Sequence, residues 1–147
     1  MKRIITENGP DGRSRLRIVA DVAPMGAIWE TSQRNWLGEE PDGSALSLDF
    51  PVGHVVARHI LIPPDSEMAP LLAAGIPGLD EKGFHQTPTI DYMILIEGQL
   101  VLELDEGSEA LKPGDIVVQR NTNHAWRNPG STPATCIVIV SRPAAAS

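Results

Sequence analysis

The chain has 147 residues, 21% charged and 41% hydrophobic, which suits one globular domain with its own core and excludes a wholly disordered chain. Its 12 lysines and arginines against 19 aspartates and glutamates leave a net charge of −7, which repels a phosphate backbone and argues against a nucleic-acid partner. No apolar run approaches the roughly 18 residues of a membrane span, and the N-terminus lacks the apolar stretch of a secretory signal, so a cytoplasmic protein with no membrane partner is expected. The 13 glycines and 13 prolines are spread along the chain and exceed the usual share of roughly 12%. Many short elements joined by tight turns would use them, and the expectation is all-β, a sandwich or barrel.

The first strand-like runs, Arg3–Thr6 and Ser14–Val22, flank the turn-rich stretch Asn8–Gly12, which reads as a hairpin loop. Gly26–Thr31 is a third candidate, and Ala45–Phe50 a fourth with Leu46, Leu48 and Phe50 on one face. His54–Ile62 is a stronger strand, ended by Pro63 and Pro64, which cannot continue a ladder. The stretch that follows has Met68, Leu71, Leu72 and Ile76 at helical spacing, but Pro70, Gly75 and Pro77 limit any helix to a turn or two. An irregular apolar loop is expected over 63–83, serving as a plug on the sheet or as a lid over a pocket.

From Phe84 onward the period is two. Phe84–Ile96 reads as one long extended segment, Gln99–Asp105 as a strand with Leu100, Leu102 and Leu104 on one face, and Lys112–Asp115 as a type II turn. Ile116–Gln119, His124–Asn128 and Thr135–Val140 complete a meander, and the single cysteine, Cys136, reads as a buried thiol.

Alternation along an extended segment puts His85, Thr87, Thr89 and Asp91 on one face, with Gln86, Pro88 and Ile90 on the other. The row runs into the apolar Met93 and Leu95, as the polar floor of a pocket would. His124, Trp126 and Asn128 form a second row at the same spacing, behind a sharp loop in which asparagine can take the left-handed conformation. The two histidines meet only if the sheet curls. Arg120 and Arg127 are candidates to hold a substrate carboxylate; Tyr92 faces away, and His54 and His59, five apart, cannot both join one site.

These residues carry a resemblance. His85-x-Thr87-x3-Asp91-x6-Gly98 keeps the intervals of the first cupin motif, with threonine and aspartate at its second histidine and its glutamate. Gly114 and His124-Ala-Trp-Arg-Asn128 match the ends of the second motif, whose proline and glycine have no counterpart between them. The chain therefore resembles the cupin superfamily, and the resemblance implies a single-domain jelly-roll β-barrel over residues 1–147. Its parts would be N-terminal strands over 1–62, the apolar loop, a motif-bearing core over 84–142 and a frayed tail over 143–147.

Cupins that hold Fe, Mn, Ni or Zn usually do so with three histidines and a glutamate. Carried over, the metal ligands would be His85, Asp91 and His124, a set suited to Fe(II) or to zinc with an open position. In the competing reading the pocket holds no metal, His85, Asp91 and His124 are catalytic in proton transfer, and Thr87, Thr89, Trp126 and Arg120 bind the small-molecule substrate. Three functions stay open: proton-transfer chemistry of the dehydratase, isomerase or lyase kind, an Fe(II)-dependent dioxygenase, and a binding module without catalysis. The resemblance also implies a homodimer that exchanges N-terminal strands.

Overall fold

The computed structural model describes residues 2–8, 10, 13–21, 23–32, 34–39 and 48–144. Their organisation starts from β10, Ala134–Ser141. Its β-branched alternation buries Ala134, Cys136, Val138 and Val140 on one face, and that face is the middle of the core. β4 (Val55–Ile62) and β5 (Ile90–Glu97) flank it antiparallel, with Val138 opposite both Arg58 and Met93. β3 (Ala27–Thr31) and β8 (Ile116–Arg120) add the edges, giving the order β3-β4-β10-β5-β8. A second sheet, β7-β6-β9, is made of β6 (Leu100–Leu104), β7 (Ser108–Leu111) and β9 (His124–Arg127). β1 (Lys2–Asn8) and β2 (Ser14–Asp21) pair as a hairpin with Asn8 opposite Ser14, as the turn residues between them predict.

The fold is all-β, as expected. The hydrogen-bonded sheets do not close into one continuous barrel, because β9 pairs with β6 rather than with β8. Turn chemistry sets the joints. Gly114 sits at φ 95° with the Asp115 N–H donating to the Lys112 carbonyl at 3.0 Å, as the Pro-Gly order of a type II turn requires. Gly98, at φ 90°, lies where a Cβ would come within 3.0 Å of the Ala134 Cα, so the β5–β6 turn can press against β10 only without a side chain.

Three expectations need correction. The segment predicted as an irregular loop forms a helix, α1, over Asp65–Ala74, with Pro70 inside it. Proline removes one rung of the ladder, while Asp65 and Glu67 in the first turn complement the helix dipole and Gly75 ends it with its N–H on the Leu72 carbonyl. The helix is also tethered: the Asp65 carboxylate accepts from the Asn128 N–H, and the Asp65 N–H donates to the Asn128 carbonyl, each at 2.9 Å. Second, regular pairing in the extended segment from Phe84 begins only at Ile90, since Pro88 and Thr89 lie in a bend. Third, Leu48–Phe50 form no strand, and the rest of that expected strand, like the tail from Ala145, lies outside the described residues. The strand β7 was not foreseen, its Ser-Glu-Ala-Leu carrying no apolar alternation. Among the described residues no helix is long and apolar enough to cross a membrane.

Asn128 is the joint between these parts. At 1% exposed, it donates from Nδ2 to the Ile62 and Thr132 carbonyls and accepts from the Gly130 N–H, each at 2.9 Å. Truncation strands buried carbonyls, so Asn128→Ala is expected to lower the unfolding free energy by about 2–4 kcal/mol. Urea titration checks this, the midpoint falling with an unchanged slope.

Candidate active site

Two turns deliver the central residues. The Asp80 carboxylate accepts from the Lys82 and Phe84 N–H groups at 2.8 Å, folding the loop that ends at His85. On the other side Asn121 takes φ 54°, the left-handed conformation foreseen for this loop. It is held by its own N–H on the Thr89 carbonyl and by the Gln86 amide on its carbonyl. The two turns are thus pinned to each other, and His85 meets His124 in an antiparallel bridge with both N–H···O bonds at 3.0 Å. The ring centroids come to 4.2 Å with planes tilted by 51°, and Trp126 stands edge-on to His124 at 5.8 Å.

The rings face a cavity of about 400 Å³ whose apolar wall includes Ile60, Met93 and Val138 of the larger sheet, with Met68, Leu71 and Leu72 of α1 along one side. None of the helix residues is buried, so α1 covers the cavity without belonging to the core. Thr87, Asp91 and Trp126 join the imidazoles on the wall. Thr89 does not: it is 2% exposed, and its hydroxyl meets that of Thr87 at 2.7 Å. It stays on the side that alternation predicts, buried with its hydroxyl on Thr87 rather than open to the cavity. Arg120 does not reach the cavity either, because the pleat of β8 sends it outward and its neighbour Gln119 inward. Neither His54, which meets Glu30 at 2.7 Å, nor His59 lines the cavity. Arg127 reaches the rim but is committed to Glu103 at 2.6 Å and to the Lys82 carbonyl at 2.7 Å.

Two polar cavity residues were missed, Arg58 and Gln119. For Arg58 the signal was present, since Val56, Arg58, Ile60 and Ile62 share one face of a strand and a charge on that face is out of place.

Electrostatics follow from burial. Desolvation lowers the His85 pKa from 6.5, and the neighbouring His124 lowers it further, against a smaller upward pull from the Gly83 backbone. Desolvation raises the Asp91 pKa, opposed by the Thr89 hydroxyl and by His124. His124 Nδ1 lies 2.9 Å from the Thr122 carbonyl, which can only accept, so Nδ1 carries the proton and Nε2 the lone pair. Burial also pushes the Cys136 thiol up to about 11, leaving it inert.

The expected metal ligands do not form a cage. Among the described residues no three His, Cys, Asp or Glu side chains are grouped to hold a metal, although His85, Asp91 and His124 share the cavity. Threonine at position 87 supplies a hydroxyl, already turned to Thr89, where the family motif supplies an imidazole.

Residues 76–140 match the family model for the cupin domain, which supports the resemblance to the cupin superfamily. The oryzines biosynthesis cluster protein J of Aspergillus oryzae is 51% identical over 53 residues, 35% of this chain and 30% of that protein. The cupin-domain-containing oxidoreductase fogC of Aspergillus ruber is 45% identical over 53 residues, 35% of this chain and 26% of that protein. The matches thus span less than a third of the length of these two curated relatives. A solved RmlC-like cupin with a double-stranded β-helix fold, from Methanocaldococcus jannaschii, is 23% identical, with a TM-score of 0.44 over 60% of this chain and 70% of that one.

A lowered His85 pKa has a stability consequence. The folded state takes up its proton less readily than the unfolded chain, so this contribution is full above pH 6.5 and is lost as pH falls through the folded value. His85→Gln is expected to flatten that part of the stability profile, and His124→Gln to move the His85 titration back toward 6.5; chemical denaturation against pH and imidazole NMR read the two effects.

Proposed function

We propose that the cavity is the active site of a small-molecule enzyme that moves protons on an oxygenated organic substrate, in dehydratase, isomerase or lyase chemistry. The observation that carries this reading is the imidazole pair at 4.2 Å sharing an apolar cavity with the half-buried carboxyl of Asp91. Two rings so close cannot both be protonated cheaply, so one of the pair stays free to act as a base. His124, its tautomer set by the Thr122 carbonyl, accepts the proton at Nε2. Asp91 has an oxygen, Oδ1, buried without a partner and a pKa raised by desolvation, which suits returning a proton to a leaving hydroxyl or to a neighbouring carbon. In a dehydration the C–H electrons become the new double bond, the hydroxyl leaves with the Asp91 proton as water, and the proton from carbon stays on the imidazole. Thr87 and Trp126 line the same space and orient the substrate.

The names of the relatives, biosynthesis cluster proteins and cupin-domain oxidoreductases, support action on a small organic molecule. The oxidoreductase names also favour a second reading, Fe(II)-dependent oxidation. The donor set supports it less, because the described residues offer no three-ligand group.

The test is hydrogen exchange. Incubated in D₂O with a panel of β-keto acids and 1,3-dicarbonyl compounds, the protein is expected to speed deuterium incorporation at the acidic carbon, read by NMR. His85→Ala and His124→Ala are each expected to lose about 10²–10⁴-fold of that rate. Exchange that survives both substitutions overturns the reading. Stoichiometric iron after anaerobic reconstitution, lost in Asp91→Ala, would replace it with the oxidation chemistry.

We also propose a homodimer built on the N-terminal hairpin. Among the described residues β1 and β2 pair only with each other, and unpaired strand edges are templates for a second chain. Sedimentation is expected to give twice the chain mass; a monomer at micromolar concentration removes the proposal.

A further inference from the structure

Arg58 lies on β4 with its side chain on the face that carries Val56, Ile60 and Ile62 into the core. It is 8% exposed, it lines the cavity, and its Nε and Nη1 are buried with no hydrogen-bond partner among the described residues. A guanidinium stays protonated in any protein environment, so burial cannot neutralise it. An unpaired buried charge is among the costliest features a fold can keep, and it persists only where something outside the chain pairs with it.

The cavity contains a second donor in the same condition. Gln119, buried on β8, accepts from the Thr122 hydroxyl at Oε1, which turns its Nε2 to the other side, where it is buried without a partner. The acceptor already inside, Asp91, does not satisfy Arg58. Arg58 and Asp91 stand on β4 and β5 either side of β10, in adjacent inward rows (Val138 opposite Arg58, Val140 opposite Asp91). Two strand spacings already separate their backbones by about 10 Å. The other arginine at the cavity, Arg127, is spent on Glu103 and Lys82. Arg58 keeps two donors without partners, Nε and Nη1, and a carboxylate is an acceptor that pairs closely with a guanidinium. A phosphate dianion would need more donors than the described residues leave open. Around these groups the wall is apolar, from Phe50 and Val138 on the sheet side to Met68 and Leu72 of α1.

We propose that Arg58 is the anchor for the carboxylate of the substrate, and that the ligand is an organic monocarboxylate with a largely apolar body covered by α1. The cavity, about 400 Å³, lies in the lower part of the range for small-molecule sites. The inference rests on the reading of this cavity as the substrate site. It adds a specificity-determining residue and a substrate class that the imidazole pair does not supply. With the acid group on Arg58, the reacting carbon lies toward Asp91 and the imidazoles, across the width of β10.

The experiment uses the full chain, a series of straight-chain and phenyl-substituted monocarboxylates of four to twelve carbons, and their neutral amides, with binding followed by calorimetry and by the Arg58 Nε–H resonance. The best acid is expected to bind at least tenfold tighter than its amide and to shift that resonance. Arg58→Met and Arg58→Gln are expected to abolish the preference, bringing acid binding down at least tenfold to the level of the amide. Arg58→Met is further expected to raise the midpoint of thermal unfolding without ligand, since it removes an unpaired buried charge, whereas a structural arginine would lower it. Equal binding of acids and amides by the unsubstituted protein overturns the Arg58 assignment and leaves the cavity as a binding site. No binding across either series overturns the assignment and the substrate-site reading together. Acid binding that survives His124→Ala while deuterium exchange does not separates the anchor from the proton-transfer machinery.

Discussion

The site depends on one reciprocal backbone contact, the bridge in which His85 and His124 exchange N–H···O bonds at 3.0 Å. Those bonds join the segment entering the larger sheet to the first residue of β9 in the smaller one, and they place two side chains about forty positions apart on neighbouring points of one wall. An antiparallel pair directly opposite brings Cβ atoms to roughly 5 Å, close enough for two imidazoles to feel each other's charge. The lowered affinity of His85 for a proton follows from that spacing and from burial.

The second constraint is a balance between an apolar cavity and polar groups left open inside it. Most buried polar atoms in a fold find partners. Here the exceptions include His85 Nδ1, Asp91 Oδ1, Gln119 Nε2 and two nitrogens of Arg58, and all four residues line the same cavity. Asn128 shows the contrast: equally buried, it has its donors and its acceptor satisfied and holds α1, β4 and β9 together. The saturated asparagine is a strut, and the unsaturated cluster is where a ligand gains most by binding. α1 completes the arrangement, tethered at Asp65, free of buried residues and carrying the apolar side chains that cover the cavity.

Strand faces and turns were legible in the sequence because they are local. Alternation in β4, β6 and β10 marks which side chains enter the core, Pro113-Gly114 encodes its turn, and Asn121 takes the left-handed conformation its residue type allows. The motif residues pointed to His85, Thr87, Asp91 and His124, and all four share one cavity. Thr89 and Arg120 do not line the cavity, for different reasons. Thr89 keeps the predicted side but is buried with its hydroxyl on Thr87, while at Arg120 the pleat carries the charge outward.

Residue order thus determined an all-β chain, the inward face of each strong strand and the residue types available for proton transfer, since those follow from side-chain alternation and backbone preference within a few positions. Only tertiary structure decided that the sheets stay separate, that α1 is tethered to Asn128, that the described residues group no three metal ligands, and that Arg58 lines the cavity with Nε and Nη1 unpaired. Each depends on groups from distant segments meeting or failing to meet, and no local pattern carries that information.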